Sequence, residues 1–145
     1  GDAAREYGVT YCIEPLSRDQ TAIVNTVAEA ARIVQAAGNP HLRTMIDTSS
    51  AALAEDESLP ALIARWMPTG VVAHVQINDP NRRAPGQGAL RFAPIVRALL
   101  AARDAGHYGG IVAAEPFDYQ PDGMGSAAFS AGYWKGLVEA LDSIA

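Results

Sequence analysis

Glu14, Asp47, Gln76 and Glu115 each close a short apolar run. The runs are Val9-Thr10-Tyr11-Cys12-Ile13-Glu14, Arg43-Thr44-Met45-Ile46-Asp47, Val71-Val72-Ala73-His74-Val75-Gln76 and Ile111-Val112-Ala113-Ala114-Glu115. A strand buried on both faces reads as continuous apolar sequence, so a polar group at its C-terminal end needs a reason. In sheets built of parallel strands that end is where ligands bind. Three carboxylates and one amide offer oxygen donors, which suit a hard divalent cation, Mg²⁺ or Mn²⁺, better than Zn²⁺. Crowded together without a cation, the carboxylates would repel one another and hold their protons to higher pH. Two glutamates beside such an ion are placed to pass a proton to and from a substrate.

The elements that must position these groups are legible in outline. A helix-like stretch follows every run, and the four polar ends lie roughly 30–40 residues apart, the length of a strand-plus-helix repeat. The first helix is predicted from about Thr21 to Ala37, with Ile23, Val27, Ala31 and Val34 on one face and Gly38-Asn39-Pro40 as its stop. The second starts near Ser58, a suitable N-cap, with Pro60 in its first turn, and ends at Pro68. The third runs from about Leu90 to Asp104, with Phe92, Ile95, Val96 and Leu99 inward, and the last from about Ser126 into Leu141. Two segments rich in Pro and Gly, Asn78 to Gly88 and Asp118 to Gly125, read as loops beyond a ligand-bearing strand end. The fold class expected is α/β in a single domain over residues 1–145. Four units make an open sheet with two exposed edges, or half of a (βα)₈ barrel, which typically needs about 250 residues.

Composition removes several functions. The formal charge of −5 argues against tracking a phosphate backbone, so no nucleic-acid partner is expected. No apolar run of about 18 residues is present, and no membrane partner is expected. One cysteine, Cys12, allows no internal disulfide and fits a cytoplasmic setting.

Four segments resemble the sugar isomerase/epimerase superfamily with the xylose isomerase-like TIM barrel. They are Ile13-Glu14-Pro15-Leu16-Ser17-Arg18, Met45-Ile46-Asp47-Thr48, the stretch from His74 through Asn78-Asp79-Pro80-Asn81-Arg82-Arg83-Ala84-Pro85-Gly86-Gln87 to Gly88, and Ala114-Glu115-Pro116-Phe117. In order, they resemble the C-terminal half of such a barrel, strands five to eight. The resemblance implies that Glu14 and Glu115 bind a divalent metal and act as the acid/base pair that moves a proton through a cis-enediolate. It implies Asp47 and Gln76 as further ligands, Gln76 standing where ketose 3-epimerases have histidine and hydroxypyruvate isomerases have glutamine. It implies Arg82, in the loop after the third strand, as a contact to substrate oxygens; His74, two residues before Gln76 and pointing the same way along that strand, is a further substrate-binding candidate. Ser50 and Gln20 occupy positions where ketose 3-epimerases have histidine and glutamate, which leaves the substrate open.

The activity expected is therefore isomerase or epimerase action on a small sugar or hydroxy-ketoacid, with Mn²⁺ or Mg²⁺ as cofactor. A dehydratase of the inosose or dehydroshikimate type on the same scaffold is the alternative, as is an inert half-barrel fragment. A nuclease sharing the barrel needs a histidine-rich metal centre, against three histidines here. The partner expected is a missing N-terminal half-barrel or a second copy of the chain. Plainer readings stand beside these. Glu14 and Glu115 both precede proline, which can simply end a strand. Asp47-Thr48-Ser49-Ser50 is good helix-capping chemistry. Arg82 and Arg83 are candidates for pairing with Asp79, and Trp66, Tyr133, Trp134 and Cys12 for packing.

Overall fold

The computed structural model describes residues 1–142, so the last three residues of the expected domain lie outside the described residues. Four parallel strands run in sequence order across one sheet: β1 (Tyr11–Ile13), β2 (Leu42–Asp47), β3 (Val72–Ile77) and β4 (Val112–Ala114). A doubly wound sheet reverses its strand order at a switch point. This one does not reverse, as in a segment of barrel wall.

Register assigns the two faces. Cys12 pairs with Arg43, Met45 with His74, Asp47 with Gln76, and Gln76 with Ala113. Because side chains alternate along a strand, these residues share one face, and Glu14 and Glu115 continue it. The other face carries Ile46, Val75 and Ile77 into the hydrophobic core, against Val27 and Ala31 of α2 (Val27–Ala37), Leu62 and Ile63 of α4 (Leu59–Trp66), and Phe92, Ile95 and Leu99 of α5 (Phe92–Asp104). Two further helices, α1 (Asp2–Glu6) and α3 (Thr48–Ala54), flank β1 and extend β2, and α6 (Gly123–Asp142) is the last element among the described residues.

Several boundaries differ from the sequence reading. The outer strands are shorter than their apolar runs at both ends: Val9 N–H is taken by Ala4 O of the first helix, and Pro15 and Pro116 have no N–H to continue a ladder beyond the two glutamates. Helix α2 begins at Val27, six residues late, because Thr26 caps it. The Thr26 hydroxyl accepts from Glu29 N–H, and the Glu29 carboxylate accepts from the Thr26 N–H, a capping box. Ile23, expected on the buried stripe, is 73% exposed in the loop before that cap. Helix α3 had no expected helical span. Asp47 starts it, its Oδ1 accepting from Ser50 N–H at 2.7 Å. Helix α6 starts three residues early, and its buried residues are Ser126 and Ser130 rather than the expected aromatics. Tyr133, Trp134 and Leu137 are only partly buried against the core.

Candidate metal and substrate site

The four strand ends deliver their polar groups to one place. Asp47 is the last residue of β2, Gln76 the penultimate residue of β3, and Glu14 and Glu115 each follow the end of an outer strand. Glu115 still completes the ladder through its N–H, which donates to Ile77 O at 3.2 Å. At the other edge the Thr44 hydroxyl donates to Ile13 O at 2.8 Å, fixing the peptide that precedes Glu14. One carboxylate oxygen from each of Glu14, Asp47 and Glu115 lies within 4.8 Å of the others.

Burial and mutual repulsion load this cluster. The Glu14 carboxyl is pushed up to about 7, first by burial and then by the neighbouring Asp47 and Glu115 charges. Glu115 is raised for the same two reasons, burial and Asp47, against a lowering hydrogen bond from the Gln76 amide. Asp47 is raised by burial, with the polar groups of Ser50, Asn78 and Ser49 opposing the rise. Among the described residues, Asp47 Oδ2 and Gln76 Oε1 are buried acceptors without a hydrogen-bond partner. Such atoms are costly unless something pairs with them. Three crowded carboxylates and two orphaned oxygens fit a hard divalent cation.

The cluster forms part of the wall of a cleft of about 270 Å³. Its walls carry six residues singled out in the sequence: Glu14, Gln20, Asp47, Ser50, Arg82 and Glu115. Gln20 and Ser50 meet there, the Ser50 hydroxyl donating to Gln20 Oε1 at 3.5 Å and the Ser17 hydroxyl to the same oxygen at 2.7 Å. Gln76 and His74 lie on the same face of β3 but do not line the cleft, His74 one step further from the rim. A larger groove of about 570 Å³ between β4 and α6 shares Glu115 but has a mostly apolar lining, so the chemistry concentrates in the smaller one.

The loop after β3 forms one wall. Arg82 sits at φ +67°, its guanidinium carbon 4.5 Å from the centre of the Phe117 ring. Its carbonyl accepts from the N–H groups of Phe117 and Asp118, both at 2.8 Å. Arg83 pairs with Asp118 at 2.7 Å rather than with Asp79. The fully buried Asp79 organises the loop from inside, accepting from Gly86 N–H at 2.8 Å and Leu90 N–H at 2.9 Å. Gly88 lies against that carboxylate, where a β-carbon would come within 2.5 Å of Oδ1.

Leu16, Ser49, Asn78 and Phe117 also line the cleft and were not singled out. Leu16 and Phe117 each lie two residues beyond a site glutamate, a spacing that was available as a signal. Asn78 was visible as a polar residue just after a strand, and nothing in the sequence separates its role from that of a turn former.

A sheet of this order with its polar groups gathered at the C-terminal rim defines a class before any comparison. The family described as xylose isomerase-like TIM barrel matches residues 1–142, and the chain belongs to it. It is 34% identical over 116 residues to a D-psicose 3-epimerase of Agrobacterium fabrum, covering 80% of this chain and 38% of that protein. It is 33% identical over 115 residues to a 3-dehydro-D-guloside 4-epimerase of Escherichia coli, covering 78% and 42%. A solved L-ribulose 3-epimerase superposes with a TM-score of 0.85 at 21% identity, covering 98% of this chain and 51% of that one, which shows the shared fold. The chain thus spans about half the length of these relatives or less. Among the described residues no helix is long and apolar enough to cross a membrane.

Proposed function

We propose that this chain is the C-terminal half of a divalent-metal-dependent sugar epimerase or isomerase, with Glu14 and Glu115 as its proton-transfer pair. The convergence of the Glu14, Asp47 and Glu115 carboxylates within 4.8 Å carries the reading. The 3- and 4-epimerase names of the relatives support a sugar with a carbonyl beside the carbon to be inverted. Glu14, Asp47, Glu115 and Gln76 would hold Mn²⁺ or Mg²⁺, which when bound supplies positive charge to polarise a carbonyl and stabilise the anion beside it.

The chain's own residues do the rest. Glu14 and Glu115 arrive from the two outer strands, so the substrate lies between carboxylates of different origin. Either glutamate can take the C–H proton as a carboxylate and return one as a carboxylic acid. In one direction, one glutamate accepts the C–H proton and the other donates a proton to the opposite face of the same carbon, inverting it. Arg82, Ser50 and Gln20 offer donors and acceptors for hydroxyls, and the Phe117 ring under Arg82 supplies an apolar face. The remaining wall of the cleft belongs to four further strand–helix units, supplied by the rest of a longer protein or by a second chain. The outward edges of the two outer strands, β1 and β4, are where they would pair.

The test is exchange of substrate carbon-bound hydrogen with D₂O in the assembled protein, with a ketose as substrate and Mn²⁺ added. Glu14→Gln and Glu115→Gln should each abolish inversion and at least one should abolish exchange. Exchange retained in both variants refutes the assignment.

A further inference from the structure

We infer that Asn78 is a positioning residue that sets the separation between the Asp47 and Glu115 carboxylates; the inference rests on reading the site as a cation centre. Asn78 follows the last residue of β3, the strand between β2 and β4, and is 3% exposed. The β3–β4 ladder runs to the pair Ile77 and Ala114, and then to the bond from Glu115 N–H to Ile77 O. The ligand-bearing carboxylates stand at and beyond that limit. There the Asn78 side chain takes over from the backbone. Its Nδ2 donates to Glu115 O at 3.0 Å, and its Oδ1 accepts from Ser49 N–H at 3.1 Å. One amide thus joins the β4 exit to the first turn of α3, whose N-cap is Asp47.

The amide is itself held. The Thr48 hydroxyl accepts from Asn78 N–H at 2.9 Å and donates to Asn78 O at 2.7 Å. The side chain therefore leaves a fixed peptide and has both ends committed. Other residue types break the bridge. Aspartate has no hydrogen to give Glu115 O, serine is too short to reach both partners, and leucine fills the space and leaves Ser49 N–H and Glu115 O unpaired. The residue touches no reacting atom in this account. It acts through the two carboxylates, as the outer hydrogen-bonding partners of metal ligands do.

The experiment is calorimetric titration of Mn²⁺ alone into the chelator-stripped protein. Four forms are compared: wild type, Asn78→Ser, Glu115→Gln and the double variant, with the metal-free melting temperature of each as a folding control. Asn78→Ser should weaken Mn²⁺ about ten- to a hundredfold. In the Glu115→Gln background it should weaken it by less than about threefold, because the separation it guards no longer matters there. Equal losses in both backgrounds, or no loss in either, overturn the inference. Asn78→Asp is the second variant, for use if serine prevents folding. It keeps the acceptor for Ser49 and loses the donor to Glu115, so it should also weaken Mn²⁺ despite its added negative charge, and tighter binding overturns the inference. Wild type that takes up no Mn²⁺ overturns the cation-centre reading and this inference together, whereas wild-type binding that Asn78→Ser leaves unchanged overturns this inference alone.

Discussion

Replacing Glu14 by glutamine should stabilise the metal-free protein while removing its activity. The carboxyl of Glu14 is pushed from an ordinary 4.5 to about 7 by burial, Asp47 and Glu115. A raised carboxyl binds its proton more tightly in the folded state than in the unfolded one. Its contribution to stability is therefore fully present below about 4.5 and is lost as the pH rises through about 7. At about 1.36 kcal/mol per pH unit, the full rise corresponds to an upper bound of about 3.4 kcal/mol. Water reaches the half-buried side chain, and screening reduces the expected figure to about 1–2 kcal/mol. Glutamine keeps the shape and has no charge to expel, so it escapes the loss. For a domain of this size that is a rise in Tm of about 3–8 °C. Thermal unfolding in the presence of EDTA should show Glu14→Gln melting above wild type at pH 8, with the gap closing by pH 5. Adding Mn²⁺ should reverse the order, since the ion stabilises the form that binds it. A variant that melts no higher than wild type at pH 8 in EDTA would refute the account of crowded, cation-seeking carboxylates.

Three further outcomes follow from the loop and the sheet edges. Asp79→Ala removes the acceptor of two buried hydrogen bonds and should cost about 2–4 kcal/mol in denaturant unfolding; a loss under about 1 kcal/mol would show that the loop does not depend on it. Arg82→Ala and Arg82→Gly should both raise KM for a ketose about tenfold while changing kcat less. The glycine variant should be the more stable by about 1 kcal/mol, because φ +67° strains any residue with a β-carbon; an unchanged KM in both would remove Arg82 from the substrate. Sedimentation of the chain at micromolar concentration should show self-association or capture of a complementary half through the open strands β1 and β4, and a stable monomer alone would count against a barrel completed in this way.

The positions of the strand-end polar groups were more legible in the sequence than the helix boundaries. Glu14, Asp47 and Glu115 stand out in the sequence because a polar group that interrupts an apolar strand differs from its surroundings, whereas Arg82, Ser50 and Gln20 were marked only by the family resemblance; all six line one cleft. Helix boundaries were less legible. The stripe from Ile23 to Val34 has helical spacing, yet the Thr26–Glu29 capping box starts the helix only after Thr26, and a local hydrogen-bond pattern overrode periodicity. Asp47 was read as either a cap or a ligand. The structure makes it a cap through Oδ1 and leaves Oδ2 bare, so the two readings do not compete. Asn78 was named only as part of a loop and given no role, because its bonds reach Ser49 and Glu115, one far behind and one far ahead in the chain. Spacing along a sequence carries no trace of such a bridge. The half-burial of Tyr133 and Trp134 was equally hidden, since an apolar helical face looks the same whether or not its neighbours are present.

The double duty of Asp47 has a consequence for how the centre fills. A flexible acidic side chain must surrender rotational freedom when it grips an ion, at about 0.5–1.5 kcal/mol. Here the bond from Ser50 N–H at 2.7 Å holds the carboxylate in place from the moment helix α3 forms. That loss is incurred during folding, so arrival of the ion brings no further freezing at this corner. The vacated centre should keep its shape, and repeated loading and stripping should leave helix α3 intact.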